Sequence, residues 1–109
     1  MRTLKFIVNS QIIMLDPECD FSDLIPGTEG YLQARFIFSP EWSGCAKVAA
    51  FYSTMGKEIG AEILDVGGTC MIPAVALAKQ KFKVQVIGKK RGYKILTNKV
   101  LVNQNGGKT

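Results

Sequence analysis

Apolar and polar residues alternate along much of this chain. Over residues 31–38, Leu32, Ala34, Phe36 and Phe38 fall on one side, while Gln33 and Arg35 fall on the other. Over residues 81–88, Phe82, Val84 and Val86 alternate with Lys83 and Gln85. A period of two marks a strand with one buried and one wet face. Residues 46–53 and 58–64 predict two further strands, joined across the turn Thr54-Met55-Gly56-Lys57. Leu4, Phe6, Ile7 and Val8 predict an opening strand over residues 4–8.

Further along, Gly88-Lys89-Lys90-Arg91-Gly92 separates two apolar-periodic runs and predicts a hairpin joining residues 82–87 to residues 93–102. Residues 73–79 lack the alternation. Pro73 suits a first helical position and Ala, Val and Leu follow, which predicts a helical turn or two crossing between strands. Residues 16–30 are acidic and carry Pro17, Pro26, Gly27 and Gly30, the composition of a loop. The polar run from Asn103 predicts fraying, so a single domain over residues 1–103 is expected, with a flexible tail over residues 104–109. About seven short strands with turn signals between them predict an all-β, mainly antiparallel sandwich of immunoglobulin-like shape, with one short helical turn near residues 73–79.

Composition narrows the function more than the fold. At 109 residues, 47% of them hydrophobic, the chain can bury one core without metal or disulfide staples. No apolar run approaches the ~20 residues of a membrane span, and the short apolar stretch after Met1 lacks the length and cleavage site of a signal peptide. The protein is therefore expected in the cytoplasm when made. Cys19, Cys45 and Cys70 are too widely spaced for a metal knuckle and odd in number for a disulfide framework, so Cys45 and Cys70 are read as small buried hydrophobes.

The chain has no histidine, which removes Ser-His and Cys-His pairs, the commonest general base and the commonest zinc ligand. Asp16, Glu18 and Asp20 alternate, but the central glycine and late bidentate glutamate of a calcium loop are out of register. Asp65-Val66-Gly67-Gly68-Thr69 lacks dinucleotide-loop spacing, and Gly88-Lys89-Lys90 lacks the upstream glycine and downstream hydroxyl of a phosphate loop. Nothing places Glu58, Glu62 or Asp65 across a cleft. No catalytic, metal-binding or cofactor-binding residue is assigned, no cofactor is expected, and the chain reads as a binding module rather than an enzyme. Trp42, after a strand and a proline turn, is read as a plug over the end of the sandwich, with a partner-facing anchor as the alternative.

Charge is divided along the chain. Residues 1–70 hold five basic and nine acidic side chains; residues 71–109 hold nine basic and none acidic, making the total of +5. On a strand, Lys81 and Lys83 lie opposite Phe82 and Val84, and the hairpin tip adds Lys89, Lys90 and Arg91, with Lys94 just beyond. These six residues are the expected partner-binding surface, facing an acidic protein. The plainer reading is that such lysines keep a sheet soluble and block edge pairing. Nucleic acid is disfavoured because few aromatics interleave with the patch and no nucleic-acid motif is present. The acidic loop could meet the basic surface of another copy, so a homo-oligomer is a further expectation.

The order Tyr31-x-x-Ala34-x-Phe36-x-Phe38, Glu41-Trp42, Lys47-x-Ala49-x-Phe51, Cys70-x-Ile72-Pro73, Phe82-x-Val84-x-Val86-x-Gly88 and Ile95-x-Thr97-Asn98 resembles small β-sandwich proteins of phages and prophages of Gram-positive bacteria, associated with tail and baseplate structural genes. The resemblance covers roughly residues 30–102. It implies a phage origin and a non-enzymatic role, with phage structural proteins as partners and a place in the virion. Trp42, Phe51 and Phe82 would pack the core, Pro73 would start the crossing turn, and Thr97-Asn98 would shape the last strand. Phage proteins of this size also inhibit host immunity, so a host defence protein is the alternative partner; the carboxylates of residues 16–29 could imitate a phosphate backbone.

Overall fold

The computed structural model describes residues 1–104, which form nine strands and two short helical turns. They are β1 (Arg2–Asn9), β2 (Ile12–Leu15), β3 (Leu32–Phe38), a 3-10 turn (Pro40–Trp42), β4 (Ala46–Tyr52), β5 (Glu58–Ile63), β6 (Thr69–Met71), α1 (Ala74–Leu77), β7 (Lys81–Lys90), β8 (Tyr93–Leu96) and β9 (Val100–Asn103). One sheet runs β2-β1-β3-β6. The other runs β5-β4-β7-β8, with β9 also on β7. The all-β sandwich expected from the alternation is the architecture adopted.

Its connectivity is less regular than a meander. β1 pairs with β3 in parallel, while the remaining pairs are antiparallel. Parallel neighbours need a long crossover, and the β2 hairpin with the acidic loop provides it. The strand order also differs from the four-plus-three arrangement of immunoglobulin constant domains, so the likeness is one of layered shape. Residues 93–102 do not form one strand. They split into β8, paired with the second half of β7, and β9, paired with its first half.

The break falls at Thr97-Asn98. Thr97 accepts a hydrogen bond from Val86 N (3.1 Å) and donates to Asn98 O (2.7 Å). The Asn98 side chain leaves the sheet and grips β2, accepting from Ile13 N (2.7 Å) and donating to Ile13 O (3.4 Å). One side of the sandwich is thereby stitched shut across its two layers.

The core lies where the alternating faces meet. Leu4, Phe6 and Val8 of β1, Ala34 and Phe36 of β3, Phe51 of β4, and Phe82, Val84 and Val86 of β7 are all buried. Phe6 stacks on Phe36 at 5.0 Å, and Phe51 meets Phe82 at 6.2 Å. Burying each such side chain contributes roughly 1.5–3 kcal/mol. Cys45 and Cys70 are buried here too, as expected of small hydrophobes. Burial pushes the Cys70 thiol up to about 12, with Glu62 and Asp65 adding to the shift.

Trp42 is the plug and not the partner-facing anchor: it is fully buried, and its Nε1 donates to Ser10 O at 2.9 Å. Its ring rests on Gly88 of β7, where an added Cβ would lie 2.7 Å from Cε3 and Cζ3. The frayed end predicted from Asn103 onward is corrected for its first two residues. Asn103 pairs with Lys81, and Gln104 is buried, its amide donating to Leu77 O (2.9 Å) and Lys79 O (2.8 Å) at the end of α1. The rest of the expected tail, residues 105–109, lies outside the described residues.

Candidate protein-docking face

Residues paired across antiparallel strands share a face, so the registers fix what the outer side of the five-stranded sheet displays. With Phe82, Val84, Val86 and Gly88 turned inward, the other side of β7 carries Lys81, Lys83, Gln85, Ile87 and Lys89. Ile87 lies opposite Val48 of β4 and Leu96 of β8, and Val48 lies opposite Ile63 of β5. Four strands thus contribute one apolar row, Ile63–Val48–Ile87–Leu96. Ile63 is 80% exposed and Leu96 38%. Beyond Ile63 the row opens on a hollow of about 390 Å³ between residues 44–47 and residues 63–66.

Next to this row, toward the hairpin tip, Lys89 and Lys94 lie directly opposite one another, with Ala46 completing the line. Like charges in such cross-strand positions destabilise a sheet. On the other side of the row, Tyr52 donates to Gln85 Oε1 (2.8 Å), and Gln85 in turn donates to Thr97 O (2.7 Å). Lys83 faces Tyr52 and Leu101; Lys81 faces Asn103. The Lys99 ammonium sits 4.0 Å from the Tyr52 ring centroid. The face is an apolar band bordered by ammonium groups.

Of the six lysine and arginine residues expected to bind a partner, the structure gathers Lys81, Lys83, Lys89 and Lys94 on this outer face. Arg91 occupies the turn with Gly92, whose φ of +70° is left-handed. Lys90 differs. It shares the inner side of the hairpin with Tyr93, its ammonium donates to Ser43 O at 3.0 Å, and it lies 4.7 Å from the Tyr93 ring. Tyr93 OH donates to Glu41 O at 3.2 Å. The tip is therefore pinned onto the 3-10 turn, and Lys90 is spent holding it there rather than free on a continuous positive surface. Beneath it, the Ser10 hydroxyl donates to the Glu41 carboxylate, which holds that carboxyl below its ordinary range, helped by Ser39.

The apolar row was not found by sequence reasoning. Val48, Ile87 and Leu96 are separated by dozens of positions or by a turn, and only the register brings them into line. The one signal was that Ile87 falls on the lysine parity of β7 while being apolar.

The acidic loop of residues 16–31 occupies the other end of the molecule. Asp16 Oδ1 accepts from Glu18 N at 2.9 Å. Asp20 Oδ1 accepts from Ser22 N (2.8 Å) and the Ser22 hydroxyl (2.6 Å), and these bonds, the hydroxyl first, lower the Asp20 carboxyl from its usual value. The Arg2 guanidinium donates to the carbonyls of Asp20 (2.9 Å) and Ser22 (2.6 Å), so it shapes the loop backbone. Phe21 packs edge-on against Phe6 at 5.8 Å, and Leu24 is buried. Glu18, Asp20, Asp23 and Glu29 are left exposed on an ordered scaffold. Among the described residues no group of three or more His, Cys, Asp or Glu side chains could hold a metal ion, and no helix is long and apolar enough to cross a membrane. Comparison with protein-family models, curated proteins and solved structures finds no match for this chain.

Proposed function

We propose that this chain is a protein-binding module that docks an acidic, partly apolar partner on the outer face of its five-stranded sheet, as a structural or assembly component of a phage particle. The observation that carries the reading is the Lys89–Lys94 pair beside the row Ile63–Val48–Ile87–Leu96. Two like-charged residues at directly opposite strand positions cost stability, and a carboxylate from a partner would relieve that cost while the row beside them is buried. The phage setting rests on the sequence resemblance over residues 30–102. Proteomics of purified particles tests it: the protein is expected at structural stoichiometry, and absence from particles sinks the virion role.

A second reading, a phage-encoded inhibitor of a host defence protein, is favoured by the exposed carboxylates of the ordered acidic loop. Expression in cells with an active defence system separates the two. Restored phage growth, lost on neutralising Glu18 and Glu29, supports inhibition; unchanged restriction rejects it.

A further inference from the structure

The Lys89–Lys94 end of the docking face and the acidic loop are opposite in charge, yet they lie too far apart to satisfy one another within one molecule. Gly27 N donates to Leu77 O at 2.8 Å, which ties the loop to the residues just before β7. Lys89 lies eight residues along β7 from Lys81, a separation on the order of 26 Å at ~3.3 Å per residue. The loop therefore cannot reach the Lys89–Lys94 pair of its own copy, whereas the loop of a second copy can.

The apolar character matches as well. Ile25 is 47% exposed and Tyr31 51%, and both line a shallow hollow of about 100 Å³ floored by Leu24 and Leu32. Each end thus offers apolar surface beside charge, carboxylates at one and ammonium groups at the other.

We infer that the occupant of the lysine face is the acidic loop of a second copy of this chain, in a head-to-tail contact. This rests on the docking-face reading above and names its partner. The two patches are different surfaces, so the contact is heterologous: it repeats, and it generates a ring if the rotation closes or a filament if it does not. It is held in part by exposed charge, so it weakens with salt, the Debye length falling from roughly 14 Å at about 50 mM to about 4 Å at about 500 mM.

Sedimentation and light scattering on the full chain test the inference. In about 50 mM salt, the average mass is expected to rise with concentration to about twice the monomer mass or more, and to fall back in about 500 mM salt. A face variant (Lys89→Gln with Lys94→Gln) and a loop variant (Glu18→Gln with Glu29→Gln) should each be monomeric alone. Among the described residues neither pair carries a side-chain hydrogen bond, so circular dichroism should show both folded. Mixed, they should form a one-to-one complex that grows no further, because only one intact loop meets one intact face. A wild-type protein that stays monomeric at low salt overturns the inference, as does a mixture of variants that stays monomeric. An oligoglutamate peptide carrying one leucine distinguishes the two failures. If it binds wild type but not the face variant while the protein stays monomeric, self-association is wrong and the docking face stands; if it does not bind, both fall.

Discussion

Placing an alanine at Gly88 tests the packing on which the hairpin end is built. The backbone there is ordinary strand, so alanine meets no conformational penalty, and by itself the change would stabilise by about 0.4–1 kcal/mol through the unfolded chain. The native surroundings oppose it. The new Cβ would stand 2.7 Å from Trp42 Cε3 and Cζ3 and 3.1 Å from Ile95 Cγ2, well inside the ~3.5–4.0 Å of a comfortable carbon contact. Trp42 cannot swing aside, because its ring is fully buried, lies 5.1 Å from Phe38 and is tied through Nε1 to Ser10 O. Overpacking of this kind costs roughly 1–3 kcal/mol. After the offset, a net loss of about 1–2 kcal/mol is expected, lowering Tm by roughly 5–15 °C for a domain of this size.

Urea titration followed by far-ultraviolet circular dichroism and by the fluorescence of Trp42, the single tryptophan, measures this directly. The double variant with Trp42→Phe is the sharper comparison, since the smaller ring makes room for the methyl. Circular dichroism then serves as the probe, and the cycle should show at least about 0.5 kcal/mol of rescue. If Gly88→Ala proves as stable as the wild type, or if the two changes simply add, the close approach of Trp42 to β7 is not what the structure shows.

Other outcomes follow from single contacts. Asn98→Ala should cost about 1–3 kcal/mol in chemical denaturation, because Ile13 N loses its acceptor where β2 meets the C-terminal strands. Gln104→Ala should cost a similar amount, leaving the Lys79 carbonyl without its side-chain donor and the Leu77 carbonyl with Gly27 N alone; no loss of stability would mean that Gln104 does not lock the segment after β9 there. Lys94→Glu should raise stability by about 0.2–1 kcal/mol at low salt by turning a like-charge pair into an opposite one, while abolishing partner docking. The Cys70 thiol is pushed from an ordinary 9.0 up to about 12. Above 9 the unfolded chain loses this proton and the folded chain keeps it, so stability is full below 9 and falls as pH rises toward 12. A thiol-labelling reagent at pH 8 should modify Cys19 well before Cys70, and equal rates would contradict the burial.

Much of the sandwich could be read from alternation because each strand reports its own two faces. β3, β4, β5 and β7 were expected within a few residues of their observed bounds, and the helical turn spans residues 74–77 inside the expected 73–79. β2 was missed because Ile12-Ile13-Met14-Leu15 is apolar on both sides, with Ile12 and Met14 exposed. β6 is three residues long and exists as a strand because β3 offers it a register. The division of residues 93–102 was hidden because Thr97 and Asn98 act through partners in other strands: Val86 eleven positions away and Ile13 eighty-five. For the site, the lysines of β7 were legible from parity, but the apolar row beside them was not. Nor was the internal role of Lys90, since nothing local reveals that Ser43 lies within its reach.

The shared edge of β7 also constrains when this protein can fold. β7 crosses the middle of its sheet, and among the described residues the flank away from β4 is covered by residues 93–103 alone. While a ribosome is still synthesising those residues, the longest strand of the molecule has one bare side, and the Asn98 clasp on β2 does not yet exist. Nascent chains that have not yet gained residues 93–103 therefore expose an unpaired, lysine-bearing strand with a Phe82–Val84–Val86 face to whatever surrounds them. Completion depends on pairing across the full length of the chain, which is slow relative to local contacts. The lysines at alternate positions of β7 accordingly have a second use: they keep adjacent nascent copies from zipping together before β8 and β9 arrive.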